Sequence, residues 1–465
     1  MQNQDLNRTP IIVENNGNSD SPEDVKTKYF HRILISGFAT IILVLIIVYT
    51  LPRTILSISS LIEYATIVAM VIFLFVLLLR YFGILSLAYL YLNEYTFRTS
   101  KKYYPFVSII VPVYNESRVI RDSIKSLLEL NYSNYEIIIV NDGSSDGTKE
   151  VAESLVGYRK GKLTDIKISL INQPNGGKSR ALNSGIKHSQ AEIILCMDGD
   201  SQLSPESVRL AVRHFENPAI GAVAGNVKVL NRNKFITDLQ ALEYIEGLNM
   251  ARSAQSYIRL VNIIPGPIGL FRRQAIVDSG YYSNDTFAED ADLTLKILAN
   301  GWKIYYEPAS ISYTEAPSTL QQLLKQRYRW TRGIIQSIRK HKRLMINPTI
   351  NLGDTFILWT MFYEALVWPA MNIAANVFFI VAAVAFGFSY LIFFWWAGLA
   401  LLDLITAIYC ISVEKEEFRL VVYAIIYRMF FILVVDICKV MSTIEEFLGI
   451  RMTWGKLERV GTVKA

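Results

Sequence analysis

The chain has 465 residues, which leaves room for two or three domains, and 52% of them are hydrophobic. The formal net charge is only +6, which argues against nucleic acid as a partner. Three cysteines and four histidines form no CxxC pair or Cys/His cluster, which argues against a zinc site and against a disulfide framework.

The N-terminal part of the chain predicts a disordered leader followed by a membrane hairpin. Residues 1–30 are polar and rich in Asn, Ser and Asp, as is typical of disordered segments. Residues 33–51 then carry no charge, and residues 64–92 are interrupted only by Arg80. Each run is long enough to span a bilayer, so we predict two transmembrane helices within residues 31–95.

Basic residues lie on both sides of this predicted hairpin, namely Lys26, Lys28, Arg32, Arg98, Lys101 and Lys102. Because positive charge concentrates on the cytoplasmic side of membrane proteins, both ends of the hairpin are expected to face the cytoplasm. The sequence therefore predicts an integral protein of the cell membrane whose middle portion is cytoplasmic.

The C-terminal part is also apolar, and its topology conflicts with its charge. Residues 353–443 contain enough apolar sequence for about three transmembrane helices, and a short basic tail covers residues 444–465. Three crossings would place this tail outside the cell, whereas its basic residues favour the inside. Either one apolar run does not cross the membrane, or the longest apolar run contains three short crossings, or the tail is an exception to the positive-inside rule.

Between these membrane segments, the sequence alternates between strand-like and helix-like patterns. Apolar strand runs at residues 107–111, 136–141, 166–172 and 192–197 are separated by polar loops and amphipathic helices. This alternation predicts an α/β domain with a mostly parallel sheet flanked by helices.

Carboxylates follow two of the predicted strands. Asp142 comes after the second strand, and Asp198 and Asp200 come after the fourth. Ligands of open α/β sheets bind at the carboxyl ends of the strands, where two carboxylates separated by one small residue can face Mg²⁺. For Asp142 alone, an ordinary role in a turn explains the residue equally well.

Three further stretches suggest a ligand crevice. Asn175 to Arg180 (NGGKSR) places Lys178 at the start of a helix, where an anion can bind. Pro265 to Arg273 contains a Gly266–Pro267 turn that suits the wall of a site or an ordinary turn. The acids Glu289 and Asp290 begin a helix, where a carboxylate serves either as a cap or as a general base.

Lys325 to Gly333 (KQRYRWTRG) packs four cationic residues around one tryptophan, just before an apolar run. It suits a membrane anchor, a lipid-headgroup site or an active site for an anionic substrate. On a helix, Gln326, Arg329, Trp330 and Gly333 share one face, which favours a site. The anchor interpretation is favoured for neighbouring basic residues, namely Arg327, Arg339, Lys340, Lys342 and Arg343.

The order of these motifs resembles that of the family 2 processive glycosyltransferases, which include the cellulose, chitin, hyaluronan and poly-N-acetylglucosamine synthases. The resemblance covers about residues 104–345. It is carried by PVYNE (112–116), VNDGSSDGT (140–148), NGGKSRALN (175–183), DGD (198–200), GPIGLFRR (266–273), AED (288–290) and QRYRW (326–330).

The resemblance implies a GT-A catalytic domain with a mostly parallel mixed sheet at residues 104–320, inserted between transmembrane helices and followed by interface helices at residues 321–352. It implies that Asp142 holds uridine near Pro112, Tyr114, Glu116 and Lys178. Asp200 would bind Mg²⁺ or Mn²⁺, and Asp198 would lie beside the sugar phosphate. Gly266, Pro267 and Glu289 would line the substrate, and Asp290 would be the general base, although Ala288 replaces the usual Thr.

Gln326, Arg329 and Trp330 match the QxxRW motif, and the resemblance implies that all three are catalytic. From its place on the helix, Arg329 can reach the donor diphosphate and Trp330 can stack on the acceptor sugar. It implies a processive, inverting enzyme that polymerises a UDP-sugar, with UDP-N-acetylglucosamine expected, and exports the product through a channel built by residues 353–443. Its partners would be the donor, the growing glycan, membrane lipids and, where one is needed, an accessory subunit.

Two other functions fit the same residues. A non-processive relative would add one sugar to a lipid acceptor, and the size of the product distinguishes it from a polymerase. A transporter or scaffold with an inactive domain would release no nucleotide from a sugar donor. Within the membrane segments, Asp403, Arg428 and Asp436 either line the channel or form a structural pair of Arg428 with one of the acids.

Overall fold

The structure is a computed structural model that describes residues 61–95, 103–346, 352–386 and 390–450. The predicted disordered leader at residues 1–30, the first predicted span at residues 33–51 and residues 451–465 of the basic tail lie outside this range. Helix α1, Leu61–Tyr95, precedes the α/β domain. Among the described residues, its segment Val71–Asn93 is the one stretch long and apolar enough to cross a membrane.

The domain is built on one nine-stranded sheet with the order β3-β4-β2-β1-β5-β8-β7-β9-β6. Its strands are β1 Val107–Val113, β2 Tyr135–Asp142, β3 Gly157–Lys160, β4 Asp165–Gln173, β5 Ile193–Cys196, β6 Ser201–Leu203, β7 Ile220–Val229, β8 Gly269–Arg272 and β9 Lys303–Thr314. The four strands predicted from apolar runs are all present, as β1, β2, β4 and β5.

The sheet is mixed, as predicted, but it is not mostly parallel. Strands β4, β2, β1 and β5 are parallel, as predicted. The second half departs from the prediction because β8 runs antiparallel to both β5 and β7, and β6 runs antiparallel to β9. Strands β6 and β8 contain only three and four residues, which are too few to show a period in the sequence.

Helices cover the sheet on both faces and bury its apolar strands; every residue of β1 and of β7 is buried. The helices of the domain are α2 Ile120–Leu128, α3 Thr148–Leu155, α4 Lys178–His188, α5 Ser207–Val212, α6 Phe235–Glu243, α7 Met250–Tyr257, α8 Arg273–Asp278, α9 Glu289–Ala299, α10 Leu320–Lys340 and α11 Lys342–Ile346. A 3₁₀ turn, Arg213–Glu216, follows α5, and a π-helical segment, Tyr244–Asn249, joins α6 to α7.

Three helical rods follow the domain. The first contains α12 Leu352–Phe362, a π segment Tyr363–Val367 and α13 Trp368–Phe386; the second is α14 Tyr390–Val413. The third contains a 3₁₀ turn Phe418–Val422, α15 Tyr423–Ile426, a π segment Tyr427–Phe431 and α16 Ile432–Phe447. Within the described residues of these rods, Ala397–Val413 is a shorter apolar helix.

Two arginines of the apolar segments form ion pairs there. Arg428 donates from Nη2 to Asp403 Oδ1 at 2.6 Å, and both residues are buried. Arg80 of α1 donates to both carboxylate oxygens of Glu364 at 2.8 and 3.0 Å. Of the two interpretations of Asp403 and Arg428, the structure confirms the structural pair, while Asp436 accepts a hydrogen bond from Asn372 at 2.7 Å instead.

Candidate active site

The loops that follow β1 and β2 are tied to each other by hydrogen bonds. The backbone N–H of Glu116 donates to Thr148 Oγ1 at 2.7 Å, and Asn115 Oδ1 accepts from the N–H of Ser145 at 2.8 Å. Asn115 adopts a left-handed backbone with a φ of 52°, which Asn tolerates better than most residues. The PVYNE and DGSSDGT motifs therefore form one rigid rim at the carboxyl edge of the sheet.

Asp142 shapes the neighbouring glycine-rich loop. Its carboxylate accepts from the side chain of Gln173 at 2.7 Å and from the backbone N–H groups of Gly176 and Gly177 at 3.0 and 2.8 Å. A carboxylate offers about four lone-pair sites, so these bonds leave room for one more donor. These bonds also hold the loop just before Lys178 in its conformation. The contact of Asp142 with uridine stays a prediction.

Lys178 lies between two of the predicted carboxylates. Its Nζ is 2.6 Å from Asp198 Oδ1 and 2.9 Å from Glu289 Oε1. Burial alone would lower the pKa of Lys178, but these carboxylates outweigh burial and hold the pKa well above its usual range. Gly266 packs on this pair, because a Cβ at that position would lie 2.9 Å from the lysine Nζ and 3.1 Å from Asp198.

Asp290 opens into the same cavity, whose lining includes Lys178, Cys196, Gly266, Tyr282, Glu289 and Asp290. Removal from water, followed by the neighbouring charge of Glu289, raises the pKa of Asp290 to about 6. A carboxylate with such a pKa is ionised at neutral pH and is a stronger base than an ordinary aspartate.

Asp200 is buried after β5, and the hydroxyl of Ser201 lies 3.4 Å from its Oδ1. A Cβ on the intervening Gly199 would lie 2.2 Å from the carboxylate of Glu116 and 3.0 Å from the carbonyl oxygen of Pro112. The DGD motif therefore lies against the PVYNE loop, with no room for a larger residue between the two acids.

Asp200 offers one buried carboxylate that a hard divalent cation would accept as a ligand, and substrate phosphates would have to supply others. Within the described part of the chain, no group of three His, Cys, Asp or Glu side chains is arranged to hold a metal ion. Mg²⁺ is commonly held by one or two carboxylates together with substrate phosphates, which matches a single DxD motif.

Helix α10 packs directly on the segment that carries the two acids. A Cβ at Gly333 would lie 2.5 Å from the backbone nitrogen of Ala288 and 2.6 Å from its Cβ. Gln336 reinforces this contact, because its Oε1 accepts from the N–H of Phe287 at 3.0 Å. The structure thus brings the QxxRW helix and the AED motif together, as the resemblance implied.

The three defining residues of the QxxRW motif differ in burial. Gln326 is buried and accepts from Arg327 at 2.5 Å, while Arg329 and Trp330 are half-buried. The guanidinium of Arg327 lies 4.3 Å from the centroid of the Trp330 ring, in cation–π geometry. Arg327 therefore supports the indole rather than anchoring the chain to lipid.

Several basic residues assigned to lipid or phosphate form ion pairs within the protein. Arg327 is 2.5 Å from Glu243, and Arg332 is 2.7 Å from Glu446. Lys340 is 2.9 Å from Asp292 on α9. Arg327 is therefore not a lipid anchor, because it is buried and paired with Glu243, whereas for Lys340 the structure shows an ion pair with Asp292.

Asp292 is a residue that the sequence analysis missed. It is fully buried two positions after Asp290, and it accepts from His341 at 3.0 Å and from Lys340 at 3.0 Å. Burial alone would raise its pKa, but these hydrogen bonds hold the pKa of Asp292 well below its usual range. Asp292 thereby holds α9 against the end of α10. In the sequence, the adjacent basic residues Lys340 and His341 were the only indication of a buried acidic partner.

We expect Arg327→Ala to destabilise the domain, because it leaves Glu243 without its buried partner and removes the support of Trp330. Breaking a buried pair costs about 3–5 kcal/mol. Thermal unfolding of the purified protein would reveal the loss as a clearly lower Tm. The matched control is Lys325→Ala two positions earlier, which is exposed and should leave the Tm unchanged. Equal Tm values for both variants would contradict the assignment.

We expect Lys178→Met to move the acid limb of the transfer rate to higher pH, because the lysine charge lowers the pKa of Asp290. The shift should be about one pH unit, as is typical when one nearby charge is removed. Lys187→Met on the exposed side of the same helix is the control. A pH profile of Lys178→Met that superimposes on the parent profile would show that the two groups do not interact.

Comparison with known proteins places this site in a family. The family model for glycosyl transferase family 2 matches residues 108–279. The chain is 31% identical over 290 residues to a poly-beta-1,6-N-acetyl-D-glucosamine synthase of Staphylococcus epidermidis strain RP62A, covering 61% of this chain and 68% of that relative. It is 34% identical over 228 residues to the synthase of Staphylococcus aureus strain COL, covering 49% of this chain and 54% of that one.

Among solved structures, the chain resembles the mannosyltransferase PcManGT from Pyrobaculum calidifontis, determined with GDP-Man and Mn²⁺. The TM-score is 0.55 at 20% sequence identity, and the match covers 81% of this chain and 98% of that one. This likeness confirms the predicted GT-A fold with its mixed sheet. On the evidence of the conserved domain and of its relatives, the chain is a glycosyltransferase that belongs to family 2.

Proposed function

We propose that the protein is a processive, inverting β-glycosyltransferase that polymerises UDP-N-acetylglucosamine and exports the polysaccharide across the cell membrane. The observation that carries the proposal is the cavity in which Asp290, with a pKa of about 6, lies beside the Lys178–Asp198 pair and beneath α10. A base and a cation in one cavity meet two needs of transfer to a sugar hydroxyl, and α10, which carries Trp330, contacts the adjoining Ala288 through Gly333.

In the proposed reaction, the acceptor hydroxyl oxygen attacks the anomeric carbon of the donor and Asp290 takes the hydroxyl proton. The bond between the anomeric carbon and the phosphate oxygen breaks, and UDP leaves with the electron pair. Since one face of the sugar is attacked and no second carboxylate forms a covalent intermediate, the product is inverted at that carbon. Arg329 contacts the departing diphosphate, and Trp330 stacks on the acceptor sugar.

A divalent cation, Mg²⁺ or Mn²⁺, fits Asp200 together with the donor phosphates and would neutralise charge on the leaving diphosphate. Asp198 has a different task in this proposal, because its carboxylate is bound to Lys178 at 2.6 Å. Asp142 holds uridine, and its bonds to Gly176 and Gly177 keep the loop before Lys178 in place.

Polymer synthesis is favoured by the relatives, which are named as poly-beta-1,6-N-acetyl-D-glucosamine synthases. The apolar helix Val71–Asn93 and the three helical rods after α11 support a membrane location beside the active site. The accessory subunit and the export path belong to the same proposal.

The deciding experiment is to measure UDP release by the purified protein with Mg²⁺ or Mn²⁺ and UDP-N-acetylglucosamine, UDP-glucose or UDP-glucuronic acid, together with the size of the labelled product. Long product from UDP-N-acetylglucosamine alone is expected. Product that also requires UDP-glucuronic acid would reveal a hyaluronan-type enzyme, and a single sugar on lipid would overturn polymerisation. No UDP release from any donor would overturn the proposal as a whole.

A further inference from the structure

The helical residues 418–447, hereafter the 418–447 helix, are long enough to cross a bilayer. Thirty residues at about 1.5 Å each extend roughly 45 Å, whereas the hydrocarbon core is about 30 Å thick. Length and apolar composition alone would therefore favour a third transmembrane span after the catalytic domain. The contacts at its two ends contradict that interpretation.

The beginning of the 418–447 helix is bound to the catalytic domain. Arg419 lies 3.2 Å from Asp238 of α6, and the hydroxyl of Tyr423 donates to the same carboxylate at 2.9 Å. Just before the helix, Glu416 lies 2.9 Å from Lys228 of β7, and Glu414 accepts from Asn226 at 2.6 Å. All of these catalytic-domain residues lie on β7 or α6.

The far end of the 418–447 helix is bound to the same domain. Glu446 accepts from Arg332 of α10 at 2.7 Å, and the side chains of Glu445 and Tyr328 are hydrogen-bonded. Beyond the helix, Arg332 also donates to the carbonyl oxygen of Ile450 at 2.5 Å. Earlier in the helix, Cys438 Sγ lies 3.5 Å from the carbonyl oxygen of Leu324. This half of the helix therefore runs along α10.

A helix that crossed the bilayer would carry one end about 30 Å away from a domain on the other side. Both ends of the 418–447 helix instead contact that domain, so its axis must run along the domain surface. The inference rests on the proposed membrane location of the enzyme. We propose that the 418–447 helix lies in the membrane–water interface, with the lipid bilayer covering its exposed face.

The exposed face of the 418–447 helix is apolar along its whole length. Large apolar side chains at least one-third exposed recur every three or four residues, at Phe418, Val422, Ile425, Ile426, Phe430, Val434, Ile437, Met441, Ile444 and Phe447. The opposite face carries polar groups such as Asp436, Thr443 and Glu446, which are buried against the protein. An exposed apolar stripe of this kind, with the polar groups turned into the protein, is a surface that lipid would cover, and the contacts at the two ends decide how the helix lies.

Lipid is the occupant favoured by the surroundings of this stripe. The helix packs against α13, which stacks on α1 through Trp368 and Phe73, and α1 exposes Phe75 and Leu79 next to them in sequence. The apolar stripe is thus continuous with the helices that carry the proposed span. Lys325 on the adjoining α10 is exposed and can meet anionic headgroups.

This arrangement removes the conflict between charge and topology in the sequence. If α13 and α14 cross and the 418–447 helix does not, residue 450 lies on the side of the catalytic domain. The basic residues 451–465 then follow the positive-inside rule with two crossings after α11 instead of three.

Single cysteines show on which side of the membrane each end of the 418–447 helix lies. They are labelled with a membrane-impermeant maleimide in intact cells and in inverted vesicles. Cys438→Ser is the background, because Cys196 and Cys410 are buried. Tyr158→Cys reports on the catalytic domain, Glu417→Cys and Leu448→Cys on the two ends, and Ser389→Cys on the connection between α13 and α14. Only Ser389→Cys should label in cells, and the other three only in inverted vesicles.

Labelling of Leu448→Cys from the cell exterior, with Tyr158→Cys labelled only in inverted vesicles, would overturn the proposal.

The depth of the 418–447 helix in the bilayer provides a second test. A nitrobenzoxadiazole label at Val422→Cys, Phe430→Cys or Ile444→Cys should be quenched more by lipids spin-labelled near the headgroup than by lipids labelled deep in the chain. Stronger deep quenching at Phe430→Cys would indicate a crossing helix and would also overturn the proposal.

Neither readout requires turnover, so a failed topology and a failed enzymatic proposal can be told apart. UDP release measured on the same vesicles would report on the proposed activity alone. If all four cysteines, including Tyr158→Cys, were labelled from outside, the active site would not be cytoplasmic. Ser389 would then lie on the same side as the domain, so α13 and α14 would not cross the membrane.

Discussion

Asp290→Asn is expected to abolish sugar transfer while leaving UDP binding intact. The amide keeps the size of the side chain but cannot take the proton of the acceptor hydroxyl. Loss of a positioned general base typically costs 10²–10⁴-fold in rate, so we expect kcat to fall by about that factor. Transfer measured with labelled sugar gives the rate, and calorimetric titration with UDP gives the affinity.

The matched control for this change is Asp285→Asn, five residues earlier. The Asp285 side chain is 60% exposed and forms an ion pair with Lys340 at 2.9 Å, outside the cavity. It should retain nearly full activity. If Asp290→Asn kept more than about a tenth of the parent rate, the base would have to be another group, and the half-buried Glu289 beside it would be the first alternative.

The same assignment fixes the direction of the pH dependence. The pKa of Asp290 is raised to about 6, and the reactive form is the carboxylate. The transfer rate should therefore fall tenfold per pH unit below about pH 6 and level off above it. Because the charge of Glu289 helps to raise this pKa, Glu289→Gln should move the acid limb to lower pH, opposite to the shift expected for Lys178→Met.

Much of the catalytic domain could be predicted because its signals are local. Strands β1, β2 and β5 are continuous apolar runs, β4 alternates apolar with polar residues, and acids follow β2 and β5 within a few residues. Strands β6 and β8 could not be predicted, since three or four residues show no period and their pairing depends on segments far along the chain. For the same reason, the change from parallel to antiparallel pairing in the second half of the sheet could not be predicted.

The basic residues of α10 show why the roles of charged side chains were harder to predict. In the sequence, Arg327 and Arg332 precede an apolar run, which is typical of a membrane anchor. Their partners Glu243 and Glu446 are 84 and 114 residues away, so no local pattern could reveal the pairing. In contrast, the face shared by Arg329, Trp330 and Gly333 follows from helical spacing alone, and Gly333 does contact the AED segment.

Gly333→Ala should cause the second large loss of transfer. Alanine favours a helix by up to about 1 kcal/mol over glycine, so propensity alone would predict a more stable protein. The added Cβ, however, would lie 2.5 Å from the backbone nitrogen of Ala288, and backbone cannot rotate away as a flexible side chain can. Helix α10 would have to move off the segment that carries Asp290.

That displacement would separate Trp330, the proposed acceptor platform, from Asp290, the proposed base. A misplacement of about 1 Å can cost roughly 10²-fold in rate, so kcat should fall by that order while UDP binding changes little. Gly83→Ala in α1 is the matched control, because its Cβ would meet nothing within 4 Å and its helix packs outside the cavity. Normal transfer by Gly333→Ala would mean that the AED segment yields, so that the close contact between α10 and Ala288 is not what positions the base.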